Sequence, residues 1–175
     1  MSRLFAGLSL PADVRVALSS WAARAVGRDE AVRPVAAESL HVTLVFLGSV
    51  DDTQTEAIAG AVVRAARPLP ELAVTGAAWL PPRRPGVLVA DLSLPDELVA
   101  LHGSLVSALA PWHEPEARPF RPHVTVARVR RHERLREHDL VGPPELRFAA
   151  RELVLWRSFA GPGGSRYEAL ASAPV

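Results

Sequence analysis

Two short elements of this 175-residue sequence have the residue types and spacing to do chemistry: His41-Val42-Thr43 and His123-Val124-Thr125. Residues i and i+2 of a strand share a face. Each element therefore sets an imidazole beside a hydroxyl and turns its valine the other way. Polar pairs inside apolar strands cost free energy unless they are partnered. A single pair reads as a satisfied edge-strand histidine next to a β-favouring threonine; two pairs at matched places point to one doubled site. An imidazole ordinarily titrates near 6.5, so one copy can take a proton from water while the other gives one to a leaving oxygen. The hydroxyls can donate to the non-bridging oxygens of a phosphoryl group. This set suits in-line displacement at phosphorus without a covalent enzyme intermediate. The residues alone leave open which histidine is the acid and which the base.

Other chemistries fit less well. Two histidines are an incomplete zinc set, and neither strand has a neighbouring carboxylate or third histidine, although Glu38, Asp51 and Asp52 flank the first. No Gly-x-Ser-x-Gly elbow, Gly-x-Gly-x-x-Gly run or phosphate loop occurs. Cysteine is absent and all 20 basic residues are arginine, which removes thiol nucleophiles, disulfides, thiolate metal sites and lysine Schiff bases. A formal charge of +1 gives no global basic field for non-specific nucleic-acid binding. Pro11 and Asp13 interrupt the N-terminal apolar run, and no long uncharged stretch follows. The expectation is a soluble cytoplasmic protein with no membrane span.

Several elements must position the two motifs. Apolar runs predict strands over 3–9, 40–47, 72–79, 87–92 and 123–129, with two late ones near 146–149 and 153–158 before a short apolar segment. Helical spacing follows Pro11 (Val14, Leu18, Trp21, Ala22, Ala25) and Pro95 (Leu98, Leu101, Leu105, Leu109). A capping box, Thr53 with Glu56, predicts a helix over 54–66. Residues 27–34 and 111–119 read as loops, 81–86 as a turn, 130–139 as a charged connection with one or two helical turns, and 161–164 as a glycine-rich loop.

The chain also repeats. Leu4-Phe5-Ala6-Gly7-Leu8-Ser9-Leu10-Pro11 resembles Leu88-Val89-Ala90-Asp91-Leu92-Ser93-Leu94-Pro95, and the two histidine motifs keep nearly the same offset. Strand, helix and histidine strand recur over about 3–48 and 87–129, which predicts two pseudo-symmetric lobes meeting across a cleft. With no linker between them and too few residues for separate cores, the expectation is one bilobal domain over 1–175.

These residues resemble the two-histidine phosphoesterase superfamily, and within it the bacterial and archaeal RNA 2′,3′-cyclic phosphodiesterases, historically called 2′-5′ RNA ligases. His41-Val42-Thr43-Leu44-Val45-Phe46-Leu47-Gly48 is similar to the family's first signature, and Arg118-Pro119-Phe120-Arg121-Pro122-His123-Val124-Thr125-Val126-Ala127-Arg128 to its second. The Arg3-Leu4-Phe5-Ala6 start, the Leu10-Pro11 helix opening and the late Ser158, Gly163, Tyr167, Leu170 pattern match as well. The resemblance implies an α+β bilobal pseudo-symmetric fold, with antiparallel sheets lining a central cleft and helices outside. It implies hydrolysis of RNA or small-nucleotide 2′,3′-cyclic phosphates to 2′-phosphates, with no metal, cofactor or obligate protein partner, and 2′-5′ ligation in reverse. It makes His41 the proton donor and His123 the general base, and places Thr43, Thr125 and Arg128 at the phosphate. An ideal strand would turn Arg128 away from His123, so a bulge, strong twist or strand end is needed to bring it back. The chain departs from many relatives at Val35, where an aromatic is common, and at 87–92, which lacks the usual tryptophan-containing end.

Further substrate contacts are expected from Arg83 and Arg84 on the 81–86 turn, and Phe120 either stacks on a base at the cleft rim or packs ahead of the second histidine strand. Parity with Val42 and Leu44 places Phe46 in the core, and His102 reads as a packed helix residue. The arginines at 130, 131, 134 and 136 alternate with acids and read as a solvated face. The competing function is a nucleotide- or RNA-end-binding module without turnover, which would not require a matched acid and base.

Overall fold

The computed structural model describes residues 1–114, 118–131, 133, 135, 140–161 and 164–175. Its elements are β1 (Ser2–Ser9), α1 (Ala12–Val26), β2 (Val32–Pro34), β3 (His41–Val50), α2 (Thr55–Ala65), β4 (Leu72–Leu80), β5 (Val87–Leu92), α3 (Asp96–Leu109), β6 (His123–Val129), β7 (Arg147–Phe148), β8 (Glu152–Gly161) and β9 (Gly164–Pro174). The strands run in the order β7-β4-β5-β6-β3-β1-β8-β9, with β2 also on β6. The protein has the α+β bilobal architecture, with antiparallel strands and peripheral helices.

The repeat is visible in this order. One lobe is β3-β1-β8-β9 and the other β6-β5-β4-β7, and they join where β3 meets β6 at the antiparallel pair Val42↔Val124. Those valines are equivalent in the repeat, so a pseudo-twofold axis passes between them. The histidine strands thus touch directly at the floor of the cleft. Continuing that register by one residue brings His41 towards Thr125 and Thr43 towards His123.

Helices cover the opposite face. α1 buries Val14, Leu18, Trp21, Ala22, Ala25 and Val26, and α3 buries Leu98, Leu101, Leu105 and Leu109, the stripe expected of helices packed on one side. Pro11 and Pro95 precede them, each contributing a fixed φ and no orphan N–H. α1 follows β1 but packs on β2 and β6, whereas α3 follows β5 but packs on β3 and α2. Each repeat's helix therefore lies under the other repeat's histidine strand, and the lobes share one apolar core. Trp21, buried there, donates its indole N–H to the Val141 carbonyl at 2.9 Å, the partner a buried indole requires.

Three expectations are corrected. A 3-10 turn over Asp52–Gln54 precedes α2, and Asp51 caps it by accepting from the Thr53 N–H and hydroxyl. Thr53 therefore donates to a neighbour instead of opening a capping box. β2 lies within the expected 27–34 loop, and the last segment is the 11-residue edge strand β9. Its alternation is weak because it is half-exposed along most of its length. Within 130–139, residues 132, 134 and 136–139 lie outside the described residues, as do 162 and 163 of the glycine-rich loop. No helix among the described residues is long and apolar enough to cross a membrane.

Candidate active site

His41 and Thr43 sit half-buried on the cleft face of β3, with Val42 fully buried between them; His123, Thr125 and Val124 repeat this on β6. Each imidazole is fixed in the same way. His41 Nδ1 lies 2.7 Å from the Ser39 carbonyl, and His123 Nδ1 lies 2.8 Å from the Arg121 carbonyl. A carbonyl can only accept, so Nδ1 carries the proton and donates in both. Each Nε2 is left to face the cleft. His41 Nε2 lies 3.1 Å from Thr43 Oγ1, whose hydroxyl donates to it when the ring is neutral. His123 Nε2 has no protein partner among the described residues.

The backbone packs tightly here. Gly7 on β1 pairs with Thr43, and any β-carbon on it would collide with the Val42 carbonyl. Glycine is what lets β1 approach the motif.

Both histidine strands then bulge. The β1–β3 register steps from Gly7↔Thr43 to Ala6↔Val45, and the β5–β6 register from Val89↔Thr125 to Leu88↔Ala127. Leu44 and Val126 are the extra residues. An extra residue reverses the alternation. Leu44 and Val45 are consequently both buried, as are Val126 and Ala127, while Phe46 and Arg128 emerge on the cleft side. The Val126 carbonyl accepts from the Val35 N–H at 2.8 Å, so the bulge leaves that group satisfied. This resolves the parity problem for Arg128. It also corrects the expectation for Phe46, which is 52% exposed instead of packed in the core. Arg128 makes no ion pair among the described residues, so its charge is available to the cleft.

The two imidazoles have different surroundings. The His41 ring lies against Phe5 (centroids 4.8 Å apart), Trp156 (5.4 Å) and the edge-on Tyr167 (5.0 Å). Burial in this aromatic nest pushes the His41 pKa down to about 4, against a smaller upward pull from the Ser39 carbonyl; the nearby charges of Arg128 and His123 press it further down. Beside His123 stands instead an ion pair. Arg121 donates Nε to Asp91 Oδ1 at 2.8 Å and an Nη to Oδ2 at 2.7 Å.

The remaining candidates fare differently. Phe120 stacks face to face on His102 of α3, centroids 3.9 Å apart and planes within 8°, and packs against the core. One face of that ring is thus taken by His102, the packing that the sequence also allows for this residue. Arg83 and Arg84 are exposed on the tip joining β4 and β5. Val87↔Arg128 pairing and the Val129 N–H to Gly86 carbonyl bond set that tip at the Arg128 end of β6. Among the described residues no group of three or more histidine, aspartate or glutamate side chains is arranged to hold a metal.

The family model described as "2′-5′ RNA ligase superfamily" matches residues 11–161. The chain is 33% identical over 172 residues to the RNA 2′,3′-cyclic phosphodiesterase of Escherichia coli (strain K12), covering 96% of this chain and 93% of that protein. Among solved structures it is similar to TT0787 of Thermus thermophilus, with a TM-score of 0.85 at 25% identity over 98% of this chain and 97% of that one. It is also similar to E. coli LigT complexed with 3′-AMP, with a TM-score of 0.83 at 30% identity over 99% and 98% of the two chains.

Proposed function

The chain belongs to the 2′-5′ RNA ligase superfamily, and on that footing we propose that it is an RNA 2′,3′-cyclic phosphodiesterase working by acid–base catalysis between His41 and His123. The observation that carries this reading is the doubled histidine geometry. Two Nδ1-anchored imidazoles flank one pseudo-twofold axis with both Nε2 atoms facing one cleft.

In this mechanism His123 Nε2 takes a proton from water as the water oxygen attacks phosphorus. The P–O3′ bond breaks on the opposite side, and O3′ receives the proton held on His41 Nε2. The products are a 2′-phosphate and a free 3′-hydroxyl, so one water is added across one bond. The Thr43 and Thr125 hydroxyls donate to the non-bridging oxygens, and Arg128 offsets the charge that grows on them.

The environment of His41 bears on its role. With burial holding its pKa at about 4, the His41 ring is neutral near pH 7. A cyclic phosphate brings a negative charge beside it, counters Arg128 and favours the imidazolium. The donor role requires that proton on His41, and with it in place the Thr43 hydroxyl turns from Nε2 to a phosphate oxygen.

A short RNA ending in a 2′,3′-cyclic phosphate, incubated in EDTA and followed by product analysis, tests this. The expected product is the 2′-phosphate, with turnover reduced about 10³-fold in each of His41→Ala and His123→Ala. Absence of turnover by the folded parent protein on RNA and mononucleotide substrates alike would overturn the reading in favour of a binding module. A 3′-phosphate product would reverse the choice of leaving group.

A further inference from the structure

Among the described residues the ion pair beside His123 has no equivalent beside His41. Residue for residue, the repeat aligns Asp91 with Gly7 and Ser93 with Ser9. The pairing does not follow that alignment. Ser9 lies opposite His41 and Gly7 opposite Thr43, whereas Asp91 lies opposite His123 and Val89 opposite Thr125. The second lobe is therefore slipped by two residues. A two-residue slip preserves which side chains face the cleft, but it exchanges the residue standing next to the histidine. The slip places a carboxylate there.

That carboxylate grips Arg121 with both oxygens, and Arg121 is the residue whose carbonyl receives the His123 Nδ1 proton. The same short segment is stitched to β5 a second time, by the Leu92 N–H donating to the Pro122 carbonyl at 3.0 Å. On the other lobe the accepting carbonyl belongs to Ser39, held within a 3-10 turn over Ala37–Ser39 by the Ser39 N–H to Ala36 carbonyl bond at 2.9 Å. A turn fixes one carbonyl. The other sits in the irregular stretch before β6 and is fixed through a side chain. The Asp91 side chain is 20% exposed and that of Arg121 49%. An ion pair open to solvent on one partner adds little to stability, whereas its two-point geometry sets direction.

We propose that Asp91 is a positioning residue for His123: by clamping Arg121 it holds the Arg121 carbonyl where it keeps the proton on Nδ1 and leaves Nε2 bare towards the cleft. This rests on the reading of His123 as the general base, but its structural half is observable without turnover. Loss of the clamp lets the Arg121 carbonyl drift. The neutral ring then divides between its two tautomers and orientations, and the Nε2-protonated fraction cannot accept a proton from water.

The test is nitrogen-15 NMR of the histidine rings in the full chain at a pH where they are neutral, alongside steady-state kinetics on a cyclic-phosphate RNA end. In the parent, both His41 and His123 should show the pattern of a ring protonated at Nδ1. Asp91→Asn should move His123 alone towards a tautomer mixture, with His41 as the internal control. The same variant should lower kcat about tenfold with KM nearly unchanged. Arg121→Lys, which keeps the charge but not the two-point grip, should fall between parent and Asp91→Asn in both readouts. A His123 tautomer pattern unchanged in Asp91→Asn would overturn the proposal, whatever the rate does. A tautomer shift in a protein that has no phosphodiesterase activity to lose would uphold the positioning role and overturn the base assignment instead. If Asp91→Asn disturbs His41 equally, the pair is a general structural support and the proposal fails.

Discussion

β3 and β6 carry the same motif, aim Nδ1 at a backbone carbonyl in the same way and bulge at the same point, yet they hand their histidines different surroundings. His41 lies against Phe5, Trp156 and Tyr167, in a nest that resists its protonation. His123 has a guanidinium–carboxylate pair behind the carbonyl that anchors it, and an Nε2 with no protein partner among the described residues. The third cleft-facing position differs too, Phe46 in one lobe and Arg128 in the other. A duplicated backbone thus supplies the symmetry that in-line chemistry needs, with a donor and an acceptor on opposite sides of phosphorus. The side chains around it supply the asymmetry. Under the proposed mechanism the phosphate lies between the two motifs, with the Arg128 charge added from one lobe and the exposed Phe46 ring offering an apolar surface on the other.

Arg128→Gln strikes this comparison hardest. Removing the one cleft-facing guanidinium of the two bulges should lower kcat/KM about 10²-fold, mostly through kcat, since the charge it meets grows in the transition state. Equal losses for cyclic-phosphate substrates with and without a base would assign the effect to the phosphate. Phe46→Ala should be milder and of a different kind. If its exposed ring receives the base, KM should rise about tenfold with kcat retained, and the effect should vanish with a ribose cyclic phosphate lacking the base. A kcat loss independent of the base would contradict the division of labour.

A subtler difference is expected in titration. His41 should titrate near 4 in the free protein and higher once a nucleoside 2′-phosphate fills the cleft, because a neighbouring anion favours the imidazolium. The sign carries over to stability. The native pKa lies below the ordinary 6.5, so the unfolded chain binds a proton that the native cleft excludes. His41's contribution to stability is present above about pH 6.5 and is lost as pH falls towards 4. A bound nucleoside 2′-phosphate, by raising the native pKa, should make that loss smaller and end it at a higher pH, and denaturant melts from pH 7 to 4 with and without the ligand would measure it.

Much of this was legible in the sequence, and its failures are instructive. The i, i+2 rule placed His41 with Thr43 and His123 with Thr125 correctly because those residues precede the bulges. The same rule misplaced Phe46 and left Arg128 unresolved because both follow one. A bulge depends on which residues the partner strand offers, Ala6 and Gly7 for β3 and Leu88 and Val89 for β6, and local periodicity does not carry that information. Asp91 escaped notice for a similar reason: the repeat aligns it with Gly7, and only the two-residue register slip brings it to His123. The Phe120–His102 stack was not legible because His102 lies on a helix that crosses beneath the other lobe.

Under the proposed mechanism two identical motifs act as an acid at His41 and a base at His123. A cyclic phosphate whose 3′ bridging oxygen is replaced by sulfur tests it directly, because a thiolate leaves without being protonated. Single-turnover hydrolysis of that substrate should be restored in His41→Ala to within about tenfold of the parent protein, and should remain about 10³-fold down in His123→Ala. Rescue of His123→Ala in place of His41→Ala would contradict the assignment and exchange the two roles.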